Sequence, residues 1–204
     1  MRNYLFNLGK NAKKASIEHV SSVKKNQVLR DYIVLIKKNY SKIISENQKD
    51  LKKANDNHLK ANLIKRLLLD KKKLLQITDS IKTIIGFNDP VDQILKKWKR
   101  PSGLKIEKKT IPIGVISVIY ESRPNVTSDV ATLCFKSGNP VILKGGSEAY
   151  YSNKILANLF RQALIKNKVN NNYVQFIESK DRKTVDFLLT KMGNYIDVII
   201  PRGG

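Results

Sequence analysis

Two periodicities divide this chain near Lys105. Before it, apolar residues recur at helical spacing. Leu29, Ile33, Ile36, Tyr40, Ile43 and Ile44 fall on one face of a single long amphipathic helix. Leu74, Ile77, Ile81 and Ile84 mark a second helix, with Asp70 as its N-cap and Gly86 as its stop. Asp89-Pro90 and Pro101-Ser102-Gly103 are breakers. The stretches Gln93–Lys99 and Leu104–Thr110, the latter alternating apolar with charged, predict a two-stranded excursion near 93–110. Residues 1–104 therefore read as an N-terminal helical segment.

From Ile113 the pattern becomes strand, helix, strand. Val115–Tyr120 is a short, nearly unbroken apolar run, as in a strand buried on both faces. Ser128–Lys136 predicts a helix with Val130, Leu133 and Cys134 inward and Gly138 at its end. Pro140–Lys144 predicts a strand. Ser147–Ile165 predicts a helix burying Ile155, Leu156, Leu159, Phe160 and Leu164. Tyr173–Ile177 is the next strand. Asp181 then caps a helix carrying Val185, Leu188, Leu189 and Met192, and Ile196–Ile200 is the last strand. Strands alternating with helices of this length imply right-handed crossovers: an α/β, doubly wound and mostly parallel sheet over 105–204. The chain stops at Pro201-Arg202-Gly203-Gly204, where a strand-end loop should lead into another helix. That predicts a truncated sheet with an unpaired edge that favours aggregation.

Composition narrows the class. The 204 residues are 41% hydrophobic and 27% charged, which fits a globular chain. No apolar run approaches the roughly 18 residues of a membrane span, and no secretory leader is visible, so a cytoplasmic protein without membrane contact is expected. The single cysteine, Cys134, excludes an internal disulfide and a multi-cysteine metal site. His19 and His58 have no ligand-like spacing, so no metal is expected. The net charge of +22 admits two readings. A Lys-rich nucleic-acid-binding protein is one. Compositional drift is the other, and the sequence favours it: 31 of the 39 basic residues are Lys, only 8 are Arg, and they are spread over many helices.

Three strand-end loops carry candidate chemistry. The first runs Tyr120-Glu121-Ser122-Arg123-Pro124-Asn125-Val126-Thr127. Ahead of a helix N-terminus, it offers a site for anions and an Asn amide able to donate to a developing oxyanion. Equally, Thr127 or Ser128 is only a helix cap and Asn125 a turn residue. The second is Lys144-Gly145-Gly146-Ser147-Glu148. It matches neither a Walker loop nor the G-x-G-x-x-G fingerprint, yet its glycines and its lysine suit a phosphate or nucleotide. An ordinary glycine turn with Ser147 as cap is the plain alternative. The third is Pro201-Arg202-Gly203-Gly204.

In these loops the chain resembles the gamma-glutamyl phosphate reductases of the aldehyde dehydrogenase superfamily. Ile113-Gly114-Val115-Ile116 with Val118 through Thr127 looks like their signature stretch. So do Lys136-Ser137-Gly138-Asn139 with Val141 through Glu148, and Ile199 through Gly204. Arg66-Leu67 and Asp89-Pro90-Val91 fit more loosely. The resemblance implies a Rossmann-like cofactor domain, a catalytic domain with a thiol nucleophile and a small oligomerisation flap, of which this chain is the N-terminal half.

The resemblance also implies roles. Lys144 holds the adenosine ribose or its 2'-phosphate, favouring NADP(H), with Gly145, Gly146, Ser147 and Glu148 beside it. Asn125 is an oxyanion-hole donor. Arg202, Gly203 and Gly204 line the cofactor cleft. Arg123 helps hold an anionic substrate or phosphate. The implied reaction starts with thiolate attack on gamma-glutamyl phosphate and ends, after reduction by NADPH, in glutamate 5-semialdehyde. Cys134 is a poor nucleophile, because it sits among Val130, Leu133 and Phe135 on an apolar helix. The nucleophile is expected beyond Gly204, and the 204 residues alone are expected to be inactive. Implied partners are the small-molecule substrate, an upstream glutamate kinase and further copies of the complete enzyme. An inactive remnant of the same enzyme and the nucleic-acid-binding protein remain the alternatives.

Overall fold

The computed structural model describes residues 1–181 and 183–202. In chain order it forms α1 (Arg2–Ser16), α2 (Ser22–Lys38), α3 (Tyr40–Asp56), α4 (Ala61–Leu67) and α5 (Lys71–Gly86). There follow β1 (Ile94–Lys99), β2 (Lys105–Lys109), β3 (Ile116–Tyr120), α6 (Pro124–Lys136) and β4 (Val141–Lys144). The chain continues with α7 (Tyr150–Lys166), β5 (Val174–Phe176), α8 (Lys183–Lys191) and β6 (Val198–Arg202). One-turn 3₁₀ segments, Ser147–Ala149 and Asn171–Tyr173, precede α7 and β5.

β3 to β6 make one sheet in the order β5-β4-β3-β6, every pair parallel. Alternation along the strands sorts their side chains onto two faces. Ile116, Val118 and Tyr120 of β3, with Val141 and Leu143 of β4, enter a core built with α2, α5, α6 and α7. Val115 and Ile142 point the other way, onto Leu5 and Ala12 of α1 and onto Leu188 and Met192 around α8. Helices on both faces explain why the strands read as apolar runs. On that second face α1 is fixed by Gln175, whose side-chain amide donates to the Leu8 carbonyl at 2.8 Å, and by the Lys13–Asp197 ion pair at 2.7 Å.

β1 and β2 form a separate antiparallel ribbon, Trp98 opposite Ile106, exposed along almost its whole length. Lys25, almost fully buried, ties α2 to the approach to this ribbon through Asp89 at 3.0 Å.

The structure corrects several expectations. The single helix predicted through Leu29–Ile44 is two helices broken at Asn39. There the side-chain amide donates to the Leu35 carbonyl at 2.8 Å, competing with the helical ladder. Asp70 does cap α5, accepting from the Lys73 amide at 2.7 Å. α6 starts at Pro124, not Ser128, because proline suits the first helical position and Arg123 serves as the N-cap. Its inward face therefore runs through Thr127, Ala131, Cys134 and Phe135, and Leu133, predicted inward, is half exposed. Gly138 follows this helix at φ +75°, the left-handed position a helix stop favours. Leu189 of α8 is likewise exposed, while Leu188 and Met192 are buried. The last strand starts at Val198, since the Tyr195 and Ile196 amides still bond to the Met192 carbonyl. Arg202 thus lies inside β6, paired with Tyr120, and not in a turn. Gly203 and Gly204 lie outside the described residues.

Candidate active-site edge

A parallel sheet brings every strand's carboxyl end to one edge. Tyr120, Lys144, Phe176 and Arg202 end β3, β4, β5 and β6 there. α6 and α7 leave this edge over one face, while α8 packs on the other. That reversal beside β3 is where open α/β sheets form a ligand crevice.

The end of β3 is held rigidly. The Thr127 hydroxyl donates to Asn153 Oδ1 at 2.9 Å, so the Tyr120 hydroxyl donates to Thr127, at 2.6 Å. Burial pushes the Tyr120 phenol pKa upward, keeping it a neutral donor. Two residues before Thr127, Asn125 sits exposed in the first turn of α6. Its amide donates to Asp129 Oδ2, one turn on, at 3.2 Å. One N–H of Asn125 is thereby oriented and the other remains for a further acceptor. Asp129 carries no sequence signal unless the helix is known to start at Pro124, which is what makes 125 and 129 neighbours.

The end of β4 differs from the open phosphate loop its glycines suggest. A Cβ on Gly145 would collide with Asn153 Nδ2, and one on Gly146 with the Ser122 hydroxyl. The protein's own packing fills the space beside both glycines, so a side chain at either would have to displace Asn153 or Ser122. Lys144 is buried, its ammonium 3.2 Å from the Gly145 carbonyl. Desolvation lowers its pKa, and the charge of Glu148 partly offsets this. Glu148 accepts hydrogen bonds from Ser122 at 2.5 Å and Ser147 at 3.0 Å, joining the first two loops. Among the described residues, Asn153 Nδ2 is buried without a partner beside Gly145.

Two clefts open here. One, about 330 Å³, lies between α4 and the loops after β3 and β4, with Arg66, Glu121, Arg123 and Glu148 on its walls. Arg123 Nε is 4.0 Å from Glu121 and makes no hydrogen bond among the described residues. The second, about 220 Å³, runs between α5 and the start of α6 and contains Asn125 and Asp129. Arg66 lines both. Arg202 pairs with β3 in the sheet and lines neither.

Cys134 is buried on α6 and takes no part in either cleft. Burial pushes its thiol up to about 12. Among the described residues no cluster of three His, Cys, Asp or Glu could hold a metal, and no helix is long and apolar enough to cross a membrane.

This sheet order, with helices on both faces and its loops gathered at one edge, is that of the aldehyde dehydrogenase fold. The crystal structure of a 'probable aldehyde dehydrogenase' from Listeria monocytogenes matches 97% of this chain and 41% of its own, with a TM-score of 0.72 at 12% identity. No family model matches the chain. The gamma-glutamyl phosphate reductase of Petrotoga mobilis is 44% identical over 208 residues, covering all of this chain and 49% of its own length. That of Nautilia profundicola is 47% identical over 180 residues, covering 88% and 44%. The crystal structure of the Thermotoga maritima gamma-glutamyl phosphate reductase matches 98% of this chain and 49% of its own, with a TM-score of 0.95 and 34% identity. Within the fold, the chain is homologous to gamma-glutamyl phosphate reductases and spans about half the length of the curated relatives it matches.

Proposed function

We propose that the chain is the cofactor-binding part of an NADPH-dependent reductase. The complete enzyme converts L-glutamate 5-phosphate to L-glutamate 5-semialdehyde with release of phosphate, the second step of proline biosynthesis. The observation that carries this reading is homology along the whole chain to gamma-glutamyl phosphate reductases. The gathering of the Asn125 and Lys144 loops at one sheet edge supports it.

The residues suit the cofactor. Among the described residues, the buried ammonium of Lys144 hydrogen-bonds only to the next carbonyl, and the Asn153 amide nitrogen beside the same loop has no partner. A ribose hydroxyl or 2'-phosphate would supply acceptors. In this reading Lys144, Gly145, Gly146, Ser147 and Glu148 hold the adenosine end, and Arg202, Gly203 and Gly204 flank the cleft. NADPH supplies the hydride. Asn125 donates to the developing oxyanion, held in orientation by Asp129, and Arg123 faces the phosphate. The thiol nucleophile is not Cys134 and comes from outside these 204 residues, so the chain alone is inactive. The exposed β1-β2 ribbon, carrying Leu95, Trp98 and, in its turn, Leu104, suits self-assembly of the complete enzyme. An upstream glutamate kinase supplies the acyl phosphate.

Fluorescence titration tests the cofactor assignment: NADPH should bind the chain more tightly than NADH, and no NADPH binding overturns it. Phosphate-dependent reduction of NADP by glutamate 5-semialdehyde in the complete enzyme tests the reaction. One observation favours a nucleic-acid reading. Lys49, Lys53, Lys154 and Lys180 gather over the rings of Tyr150 and Tyr151. That reading predicts salt-sensitive retention on a polyanion, competed by specific DNA or RNA, without NADPH affinity.

A further inference from the structure

The cleft between α5 and α6 holds charges of both signs that do not neutralise each other. Arg66, on α4, lines it from one side, and among the described residues it makes no hydrogen bond or ion pair. Asp129, on α6, lines it from the other. The Asn125 amide, at 3.2 Å, is the only hydrogen-bond donor to Asp129 among the described residues, and no cation lies within 4.0 Å. Lys73 is committed elsewhere, since its ammonium holds the Lys65 and Leu68 carbonyls at 2.9 and 2.7 Å. Gln76 and Ser80 on α5 complete the polar wall, with Ile77 and Leu69 as its apolar part.

A half-buried carboxylate with one weak partner is costly, and desolvation raises the Asp129 pKa accordingly. A cationic ligand group would remove that cost. An arginine without an acceptor across the same cleft is the natural partner of a carboxylate. A lone anion would satisfy Arg66 and be repelled by Asp129, and an amine would do the reverse. A zwitterion satisfies both. The cleft also contains Asn125, the amide assigned to the reacting acyl group, so an occupant of this cleft has that group within reach.

We propose that this cleft is the subsite for the α-amino acid head group of the substrate: Asp129 receives the α-ammonium and Arg66 the α-carboxylate. This rests on the reductase reading and adds to it the residues that select an amino-acid substrate over a plain dicarboxylate. Asp129 acts twice, as the ammonium acceptor and as the residue that orients Asn125.

The test is a set of TROSY NMR titrations of the ²H,¹⁵N-labelled complete enzyme with L-glutamate, glutarate, inorganic phosphate and, separately, NADPH. L-Glutamate should shift the amides of Arg66, Asn125 and Asp129. It should bind roughly tenfold or more tightly than glutarate, which lacks the ammonium. D129N, near-isosteric and still able to accept from Asn125, should bring the two ligands to equal affinity, and R66Q should weaken both. Glutarate binding as well as L-glutamate, or no response to L-glutamate, overturns the proposal. So does a phosphate response at Arg66 equal to that of L-glutamate, which would make this a plain anion site. The NADPH arm reports separately. Shifts around Lys144 without any from L-glutamate would sink the subsite and leave the reductase reading standing. The reverse pattern would sink the cofactor assignment alone.

Discussion

Lys144 and Cys134 show how burial sets what a single side chain can do. The ammonium of Lys144 is desolvated and its pKa lowered, so a ligand phosphate meeting it gains a strong charge-assisted contact. In the complete enzyme, Lys144→Ala should weaken NADPH by about tenfold or more and NADH by less, in side-by-side titrations. Equal losses would remove the 2'-phosphate from its role. Cys134 is the opposite case. With its thiol pushed up to about 12, it should react with a thiol reagent at least about a hundredfold more slowly in the native chain than in urea. Cys134→Ser should leave turnover of the complete enzyme intact.

At the scale of elements, buried polar side chains act as pins between helices that apolar periodicity does not reveal. Asn47 on α3 is fully buried and donates to the Leu67 carbonyl and the Ser152 hydroxyl, both at 2.9 Å, while accepting from the Leu69 amide at 2.8 Å. It joins α3, the end of α4 and the start of α7. Asn47→Ala should cost about 2–4 kcal/mol in urea unfolding, because it strands buried partners. A loss under about 1 kcal/mol would mean that water replaces it. Asp31 joins α2 to the end of α7. Burial would push its carboxyl up, but hydrogen bonds from Lys166 at 2.6 Å, Asn167 and Gln27 outweigh this and hold it below its ordinary value. Its stabilisation is therefore present above the unfolded-state pKa, about 4, and is lost as pH falls through that value toward the folded one. Acid unfolding of Asp31→Asn should show a shallower limb over that window, and an unchanged limb would place the acid sensitivity elsewhere.

The whole molecule carries 39 basic against 17 acidic residues, and no local pairing cancels that excess. Self-repulsion of this size opposes the compact state and is screened by salt. Raising NaCl from low to high concentration should therefore raise the Tm by a few degrees. A flat or falling Tm would mean that surface ion pairs outweigh the repulsion. The 204 residues by themselves carry a second liability: among the described residues β6 pairs only with β3, and Ile200 on it is exposed. Low solubility should accordingly persist after salt has removed the repulsion.

The alternation of strand-like and helix-like segments after Ile113 determined the parallel α/β sheet, since periods of 2 and 3.6 are local properties of the chain. The motif loops were legible too, because strand ends and breakers are local. Tertiary structure decided what those loops mean. It set the start of α6 at Pro124, and with it the pairing of Asn125 with Asp129. It packed Asn153, Tyr120 and Ser122 into the space beside Gly145 and Gly146, which the glycines alone suggested was open. It laid α1 on the second face of the sheet, where Gly9 and Ala12 are too small to announce an apolar stripe. It brought Arg66 from 63 positions away in the chain to face Asp129 across a cleft. Periodicity records which face of an element is buried; which two elements meet is a matter of long-range packing, and the candidate site lies where elements meet.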